Sequence, residues 1–345
     1  MNLTLKDLHE AVKKRVDSVR CEELWQGFKP LRFALYNDTE CYLDGRYIEK
    51  TDRFLGNTAI EYDGEFIAIW YVSGEPDLDI LASKMIHEMF HGFQNSNNDS
   101  RFPQELSALY QYRYSDENLS LKLKEQRLLA DMVQEFSGEK LKKLLQYRKY
   151  RYDHFPYEFV YEARVEQIEG SANYVELRAL KQISESLYLQ KLEQMKRNIL
   201  EPANLLPVRI VSYDVGALLL HVLKENRVSF EQEFSDTTFS EYLISGMEET
   251  DPGDVETNLS RCIEGYFHQT RKVIDAALQK NDVVMGHRSK LLGVNVYNAV
   301  YLNGYITSTY FVMYGEEASP TVVHGDFVIE TPEEGIVTKI YRMAN

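Results

Sequence analysis

Cysteine is scarce in this sequence. Only Cys21, Cys41 and Cys262 occur, and no two of them form a CxxC pair. A CxxC pair is the usual signature of a thiolate zinc site, and an even set of spaced cysteines is the usual signature of a disulfide framework. The sequence therefore predicts neither of these, and the sparse, odd number favours a reducing compartment.

Long apolar runs and an excess of basic residues are also missing. No window approaches the roughly 18 consecutive apolar residues of a membrane-spanning helix, and the N-terminus lacks the apolar segment of a signal peptide. Asp and Glu number 54 against 39 Lys and Arg, so the formal net charge is −15. Such a chain repels nucleic-acid phosphates and anionic membranes. We therefore expect a cytoplasmic protein that binds neither nucleic acid nor membrane. Its most basic stretch, residues 140–151, is expected to be one solvated helix face.

The order of hydrophobic patterns predicts an α+β fold in three parts. Residues 1–76 are expected to form an N-terminal β-rich subdomain, with a helix from about Thr4 to Trp25 and two hairpins. The hairpin turns are predicted at Asp44-Gly45 and at Asp63-Gly64. Residues 77–280 are mainly helical in pattern and are expected to form the catalytic subdomain. Residues 281–345 alternate strand-like runs with glycine turns, so a small β-rich C-terminal unit is expected.

Several residues in the helical region are typical of helix ends. Breaks are predicted at Ser115, at Ser137-Gly138 and at Pro156. The pattern from residue 158 to 199 is too long for one ordinary helix, so we expect a bend, with Gly170 as a candidate. Residues 208–212 are predicted to be an apolar segment that leads into a helix beginning at Tyr213.

Residues 87–91 read His-Glu-Met-Phe-His, which is an HExxH motif. Apolar residues at helical spacing predict a helix from residue 77 to about Phe93, which contains the motif. Residues four apart lie on one helix face, so the imidazoles of His87 and His91 can reach a single zinc ion. Glu88 lies beside them and can take a proton from a metal-bound water. The alternative, two histidines packed in a core, is disfavoured by the helical context.

A second segment, residues 168–176, reads Ile-Glu-Gly-Ser-Ala-Asn-Tyr-Val-Glu. It resembles the E-G-x-A-x-Y-x-E stretch of the aminopeptidase N family of gluzincins. In that family the first Glu of the stretch is the third zinc ligand, so the resemblance implies Glu169. In thermolysin-like enzymes a carboxylate four residues later orients a zinc-bound His, so Asn173 is expected to do so here as a weaker acceptor.

Two other interpretations of this segment compete with that assignment. Acidic residues recur at helical spacing here, and such a row is usually a solvated face. The row comprises Glu162, Glu166, Glu169 and Glu176. Glu166 is the rival third ligand. Glu169 is preferred because Gly170 follows it, which allows close packing against the metal-bearing helix, and because the match continues through Tyr174.

Residues 212–217 read Ser-Tyr-Asp-Val-Gly-Ala and resemble the S-Y-x-K-G-A stretch of the same family. In that family the Tyr of the stretch donates a hydrogen bond to the oxyanion of the tetrahedral intermediate, so the resemblance implies this role for Tyr213. The alternative is that Tyr213, one of 24 tyrosines, only packs at the end of an element. The chain departs from the family at Val215, where the family has Lys. It also has 77 residues between His91 and Glu169, far more than the family has.

Together these features predict a zinc-dependent hydrolase with one zinc ion per chain. His87, His91 and Glu169 are the predicted ligands, Glu88 the general base and Tyr213 the oxyanion donor. The resemblance implies a zincin-like metalloprotease fold and a metallopeptidase that cleaves peptide or protein substrates. Two alternatives stay open, which are a zinc hydrolase of a non-peptide substrate and a non-catalytic binding protein that retains the metal.

Overall fold

A helix and a five-stranded sheet form the N-terminal part of the computed structural model, which describes residues 3–230, 232–254 and 257–343. Helix α1 covers Leu5–Val16 and the short helix α2 covers Cys21–Leu24. The strands are β1 Phe33–Tyr36, β2 Cys41–Leu43, β3 Arg46–Ile48, β4 Thr58–Tyr62 and β5 Glu65–Tyr71. Their order in the sheet is β3-β2-β1-β5-β4, with β1 and β5 parallel and the other neighbours antiparallel.

Both predicted hairpin turns are confirmed. Asp44 and Gly45 have φ angles of 42° and 89°, and Asp63 and Gly64 have φ angles of 53° and 82°. Positive φ at both central residues is characteristic of the type I′ turn, which Asp-Gly favours because glycine has no Cβ to clash. These turns fix the register of β2 on β3 and of β4 on β5.

The single helix predicted from Thr4 to Trp25 is wrong in extent. Helix α1 ends at Val16, and the Ser18 hydroxyl donates to the Arg15 carbonyl at 2.7 Å. Such a side-chain bond competes with the helical backbone, and the chain turns before α2 begins.

Helix α3, Leu78–Ser96, carries the HExxH motif, as predicted, and it lies against the sheet. Its first turn is capped by Asp77, whose carboxylate accepts from the N–H groups of residues 79 and 80. Gly92 lies close to the sheet. A Cβ there would lie 2.4 Å from the Leu31 Cδ1 atom and 3.3 Å from the Phe66 Cβ atom. The absence of a side chain thus lets helix α3 sit directly on the strands.

Several helices of the helical region pack around the buried helix α10, Val208–Glu225. The helices of this region are α4 Glu105–Gln111, α5 Asp116–Gln134, α6 Gly138–His154, α7 Pro156–Val165, α8 Ser171–Ile183, α9 Glu185–Leu200, α10 Val208–Glu225, α11 Phe239–Ile244 and α12 Thr257–Lys280. A 3₁₀ turn covers Pro202–Leu205. The breaks predicted at residues 115, 137–138 and 156 are confirmed. Overall the chain is α+β, with about 51% helix and 18% strand.

The expectation that residues 158–199 do not form one ordinary helix is confirmed, because α8 ends before Ser184 and a π-helical segment, Glu166–Gly170, joins α7 to α8. The predicted start of the next helix at Tyr213 is wrong. Helix α10 begins at Val208, directly after Pro207, so Tyr213 lies in its second turn and not at its start. Because α10 is apolar on nearly every side, its sequence lacks the amphipathic period that would have marked where it starts.

Six buried charged side chains join α5, α6, α7 and the π-helical segment. They are Lys122, Glu125, Arg148, Arg151, Glu162 and Glu166. Arg151 donates to both carboxylate oxygens of Glu162 at 2.6 Å, and Arg148 donates to both of Glu166 at 2.8 and 2.9 Å. Burial would raise the pKa of Glu162, but Arg151 and Lys122 hold it at about 2. Three cations thus balance three carboxylates, as buried charges require.

This network corrects two sequence-based expectations. The basic stretch of α6 is not one solvated face, because Arg148 and Arg151 are only 2% and 1% exposed. The acidic row is not a solvated face either, because Glu162, Glu166 and Glu176 are buried. In both cases the compensating charges come from helices that are distant in sequence, which no local pattern reveals.

Strands occupy the C-terminal part of the chain. They are β6 Val283–Met285, β7 Ser289–Val294, β8 Val300–Leu302, β9 Tyr305–Ser308, β10 Phe311–Glu316, β11 Ser319–His324, β12 Phe327–Glu330, β13 Ile336–Val337 and β14 Lys339–Arg342. One sheet has the order β11-β10-β7-β13 and the other β6-β14-β12-β9-β8. Leu106, Leu109 and Tyr110 of α4 pack against their shared apolar core. The C-terminal strands are therefore docked on the helical region.

Candidate metal centre

His87, His91 and Glu169 come together between α3 and the π-helical segment. The Nε2 atom of His91 is 3.1 Å from Nε2 of His87 and 3.5 Å from Oε2 of Glu169. One potential ligand atom from each residue lies within 4.8 Å of the other two. Ligand atoms about 2.0–2.1 Å from a tetrahedral zinc ion are about 3.3 Å apart. Two of the three separations are close to this value, so the cluster could hold a metal ion.

Local geometry explains how these three side chains meet. The two histidines are four residues apart on α3, so they share a face. Glu169 lies in a π-helical segment, a distortion that is frequent at functional sites. Gly170 was expected to pack against the metal-bearing helix, which is wrong. A Cβ on Gly170 would lie 2.8 Å from the Gly216 Cα atom, so the segment is in backbone contact with α10.

Each histidine has a partner at its Nδ1 atom. His91 Nδ1 lies 2.8 Å from Oε1 of Gln94, whose amide donates in turn to the Ile168 carbonyl at 3.1 Å. His87 Nδ1 lies 3.4 Å from Oε2 of the buried Glu176. This contact is long and lacks hydrogen-bond alignment, so Glu176 acts on His87 mainly through its charge. The expectation that Asn173 orients a histidine is wrong, because Glu176 occupies that place.

The charges around the cluster favour a protonated His91 beside an ionised Glu169. Burial opposes charge on His91, but the carboxylate of Glu169 raises the pKa of His91 to about 9. Burial likewise opposes charge on Glu169, but His91 and Arg209 hold the pKa of Glu169 at about 2. A divalent cation bound here would take the place of the imidazole proton, since metal binding requires deprotonated ligands.

Arg209 is a neighbour of the cluster that the sequence did not indicate. Its Nη2 atom donates to Oε1 of Glu169 at 3.1 Å, and its Nε atom donates to Oε1 of Glu105 at 2.8 Å. The hydroxyl of Tyr161 donates to the other oxygen of Glu105 at 2.9 Å. Arg209 lies four residues before Tyr213 on α10. Residues four apart share one face of a helix, so the position of Tyr213 could have pointed to Arg209. The relation was missed because the predicted helix begins at Tyr213 and excludes Arg209.

Two tyrosine rings flank the Arg209 guanidinium. The Cζ atom of Arg209 is 4.9 Å from the ring centroid of Tyr213 and 5.1 Å from that of Tyr297. The Tyr213 hydroxyl is buried and has no hydrogen-bond partner among the residues that the structure describes. Tyr297, in the connection between β7 and β8, was not singled out from the sequence. The C-terminal strands thus contribute a side chain to this site.

No family model, characterised protein or solved structure matches this chain. Within the described parts of the chain, no helix is long and apolar enough to cross a membrane. The geometry and chemistry of the site therefore carry the functional argument.

Glu88, the predicted general base, and Glu166, the rival third ligand, have very different surroundings. Glu88 is 8% exposed and has no hydrogen-bond or ion-pair partner among the described residues. It follows His87 in the sequence, and its negative charge is one of the groups that raise the pKa of His91, so it lies near the cluster. Glu166, the rival third ligand, binds Arg148 through both oxygens and also accepts from Ser240 at 2.8 Å. The carboxylate of Glu166 is therefore already bonded to Arg148 and Ser240, whereas the carboxylate of Glu88 is unpaired among the described residues.

Proposed function

We propose that this chain is a zinc-dependent hydrolase, and that it is a metallopeptidase with a zincin-like fold. The observation that carries the proposal is the convergence of His87, His91 and Glu169 beside the unpartnered Glu88. Two imidazoles and one carboxylate are a known catalytic zinc set, which leaves the fourth position open. Two Nε2 atoms only 3.1 Å apart, with a carboxylate beside them, form a donor set that suits a cation.

Zinc held by these ligands would supply Lewis-acid chemistry toward a water molecule and a substrate carbonyl. The protein supplies the proton transfers. Glu88 accepts a proton from the attacking water and passes it to the leaving nitrogen, as a general base and then a general acid. The Tyr213 hydroxyl, which lacks a partner in the free protein, donates a hydrogen bond to the developing oxyanion.

The edge of the N-terminal sheet supports a peptide as the substrate. Strand β4 lies at the edge of the sheet and pairs with β5 alone among the described strands. The Cβ atom of Ala59 on this strand lies 3.5 Å from where a Cβ on Gly92 would be, and Gly92 follows His91. An extended peptide can add to an exposed strand edge through backbone hydrogen bonds. Such a peptide would run past the metal ligands.

The proposal is tested by zinc analysis combined with a peptide screen. We expect about one zinc ion per purified chain, lost on chelation, and new peptide termini when the zinc-loaded protein meets a broad peptide library. Mass spectrometry reads the termini, and the chelated protein is the control. Absence of new termini at confirmed zinc occupancy would favour a non-peptide substrate or a non-catalytic metal-binding role.

Zinc affinity should depend on Glu176 and not on Asn173. Glu176→Gln removes the charge beside His87 Nδ1 while keeping the side chain's size, and we expect a loss of about 10–100-fold in zinc affinity. Asn173→Ala, at the position that the resemblance implied, is the matched control and should change affinity little. Competition with a chelator measures both variants. The reverse ranking would show that Glu176 does not support the ligand.

A further inference from the structure

The two carboxylate oxygens of Glu169 have different neighbours. Oε1 accepts from Nη2 of Arg209 at 3.1 Å, whereas Oε2 is paired with Nε2 of His91 at 3.5 Å. A carboxylate can bind a metal ion through one oxygen or through both. Because a guanidinium on α10 already bonds Oε1, Glu169 offers Oε2 to an ion held by the histidines.

Arg209 is itself fixed from several directions. Its Nε atom donates to Glu105 at 2.8 Å, and the other oxygen of Glu105 accepts from the Tyr161 hydroxyl at 2.9 Å. The rings of Tyr213 and Tyr297 flank its guanidinium at 4.9 and 5.1 Å, and the side chain is only 9% exposed. A guanidinium donates in a rigid planar fork, so fixing its plane also fixes the direction of each N–H group. The bond to the proposed zinc ligand therefore has a defined direction.

A ligand that offers one oxygen suits some metal ions better than others. Zinc in a catalytic site takes three protein ligands and one water. Manganese favours oxygen ligands in an octahedral arrangement. A second carboxylate oxygen at the cluster would add a ligand, which favours the ion with the higher coordination number. The neighbour that bonds Oε1 therefore influences which ion is bound.

We propose that Arg209 is a positioning residue, which restricts Glu169 to one-oxygen binding and so biases the site toward a four-coordinate ion such as Zn²⁺ and against Mn²⁺. That the cluster binds a metal ion rests on the proposed function. A hydrogen bond between a guanidinium and a carboxylate is charge-assisted and strong, so Oε1 is not readily released. Glu105 contributes by holding the other edge of the guanidinium.

The ratio of zinc to manganese affinity tests this inference. Arg209→Met removes the guanidinium and leaves an apolar, unbranched side chain. Loss of one positive charge strengthens the binding of both divalent ions, so the ratio of the two dissociation constants cancels that effect. We expect the preference for zinc to fall by at least about tenfold, the lower end of what a partner of a metal ligand contributes. Chelator competition measures zinc binding, and electron paramagnetic resonance of the free ion measures manganese binding.

The spectrum of bound cobalt provides a readout that a change in stability alone does not move. Coordination geometry is diagnostic of the ligand set, and the visible absorption of Co²⁺ weakens as its coordination number rises. At saturating Co²⁺, Arg209→Met should therefore lose visible absorption intensity per bound ion. Arg178→Met is the matched control, because Arg178 pairs with Glu225 outside the metal cluster. It loses the same charge and should keep the wild-type ratio and the wild-type spectrum.

Arg209→Lys separates direction from charge, and it is a second test if Arg209→Met lowers the melting temperature. Lysine keeps the positive charge beside Glu169, but its ammonium donors rotate freely and fix no direction. We expect a fall in zinc preference and a loss of cobalt absorption, both smaller than in Arg209→Met. A wild-type ratio and spectrum in folded Arg209→Lys would show that charge alone is needed and would overturn the proposal.

The outcomes separate this inference from the proposed function. An unchanged ratio or an unchanged cobalt spectrum in folded Arg209→Met overturns the positioning role even if the wild-type protein cleaves peptides. A lower ratio with a weaker spectrum supports the role even if the peptide screen finds no cleavage, in which case only the hydrolase proposal fails. Failure of the wild-type protein to bind any of the three ions overturns both.

Discussion

Glu88→Gln is expected to leave zinc bound and to slow peptide hydrolysis by about 10²–10⁴-fold, which is the usual contribution of a general acid–base group. Glutamine keeps the size of the side chain and its hydrogen-bonding reach, but it cannot take a proton. Zinc retention follows because the two histidines and Glu169 supply three ligands without Glu88. Glu88 has no partner among the described residues, so the substitution breaks no structural bond.

The measurement is turnover of a peptide found in the screen, together with zinc content and melting temperature. Glu139→Gln, at an exposed position on α6, is the control for loss of one negative charge. The Glu88→Gln protein should still bind the substrate, so it can serve as a trap for identifying natural substrates. Equal turnover by Glu88→Gln and wild type at equal zinc occupancy would remove Glu88 from the mechanism.

Tyr213→Phe is expected to lower kcat by about 10²–10³-fold while changing KM little, because the lost hydrogen bond forms mainly in the transition state. The fold should tolerate the change, since the hydroxyl is buried and unpartnered in the free protein. Phenylalanine keeps the ring that lies 4.9 Å from the Arg209 guanidinium. A fall in kcat at unchanged melting temperature would therefore report on the hydroxyl alone.

Tyr297→Phe is the matched comparison, because the two ring centroids are 6.5 Å apart and both rings flank Arg209. Tyr297 is more than half exposed, so its hydroxyl is less preorganised than that of Tyr213. We expect the smaller effect at Tyr297. If Tyr297→Phe lowers kcat and Tyr213→Phe leaves it unchanged, the donor comes from the C-terminal strands rather than from α10.

What the sequence predicted well depends on neighbours along the chain. The helix around His87 and His91 follows from apolar residues at helical spacing, and the two hairpins follow from Asp-Gly pairs, which adopt type I′ turns. Glu169 was located by a short motif. The π-helical segment that contains it was not predicted, because one extra residue in a turn leaves no mark on a period of 3.6.

What the sequence did not predict depends on contacts between distant segments. Arg148 and Arg151 looked like surface residues because their partners lie on α5, α7 and the π-helical segment. Arg209, 40 residues after Glu169, and Glu105, 104 residues before Arg209, are joined only by the fold. A single sequence carries no local signal for such pairs, since any acidic residue could be the partner of any basic one.

The contact between Gly170 and Gly216 determines how closely the π-helical segment approaches α10. Glu169 precedes the first glycine, and Arg209 and Tyr213 lie on the helix that contains the second. A Cβ on Gly216 would lie 2.9 Å from the carbonyl oxygen of Glu166, so main chain meets main chain with no flexible side chain that could yield. The proposed metal ligand and the proposed oxyanion donor therefore lie on two backbone segments that are already in contact. A side chain at either glycine would push these segments apart and increase the distance between the two groups.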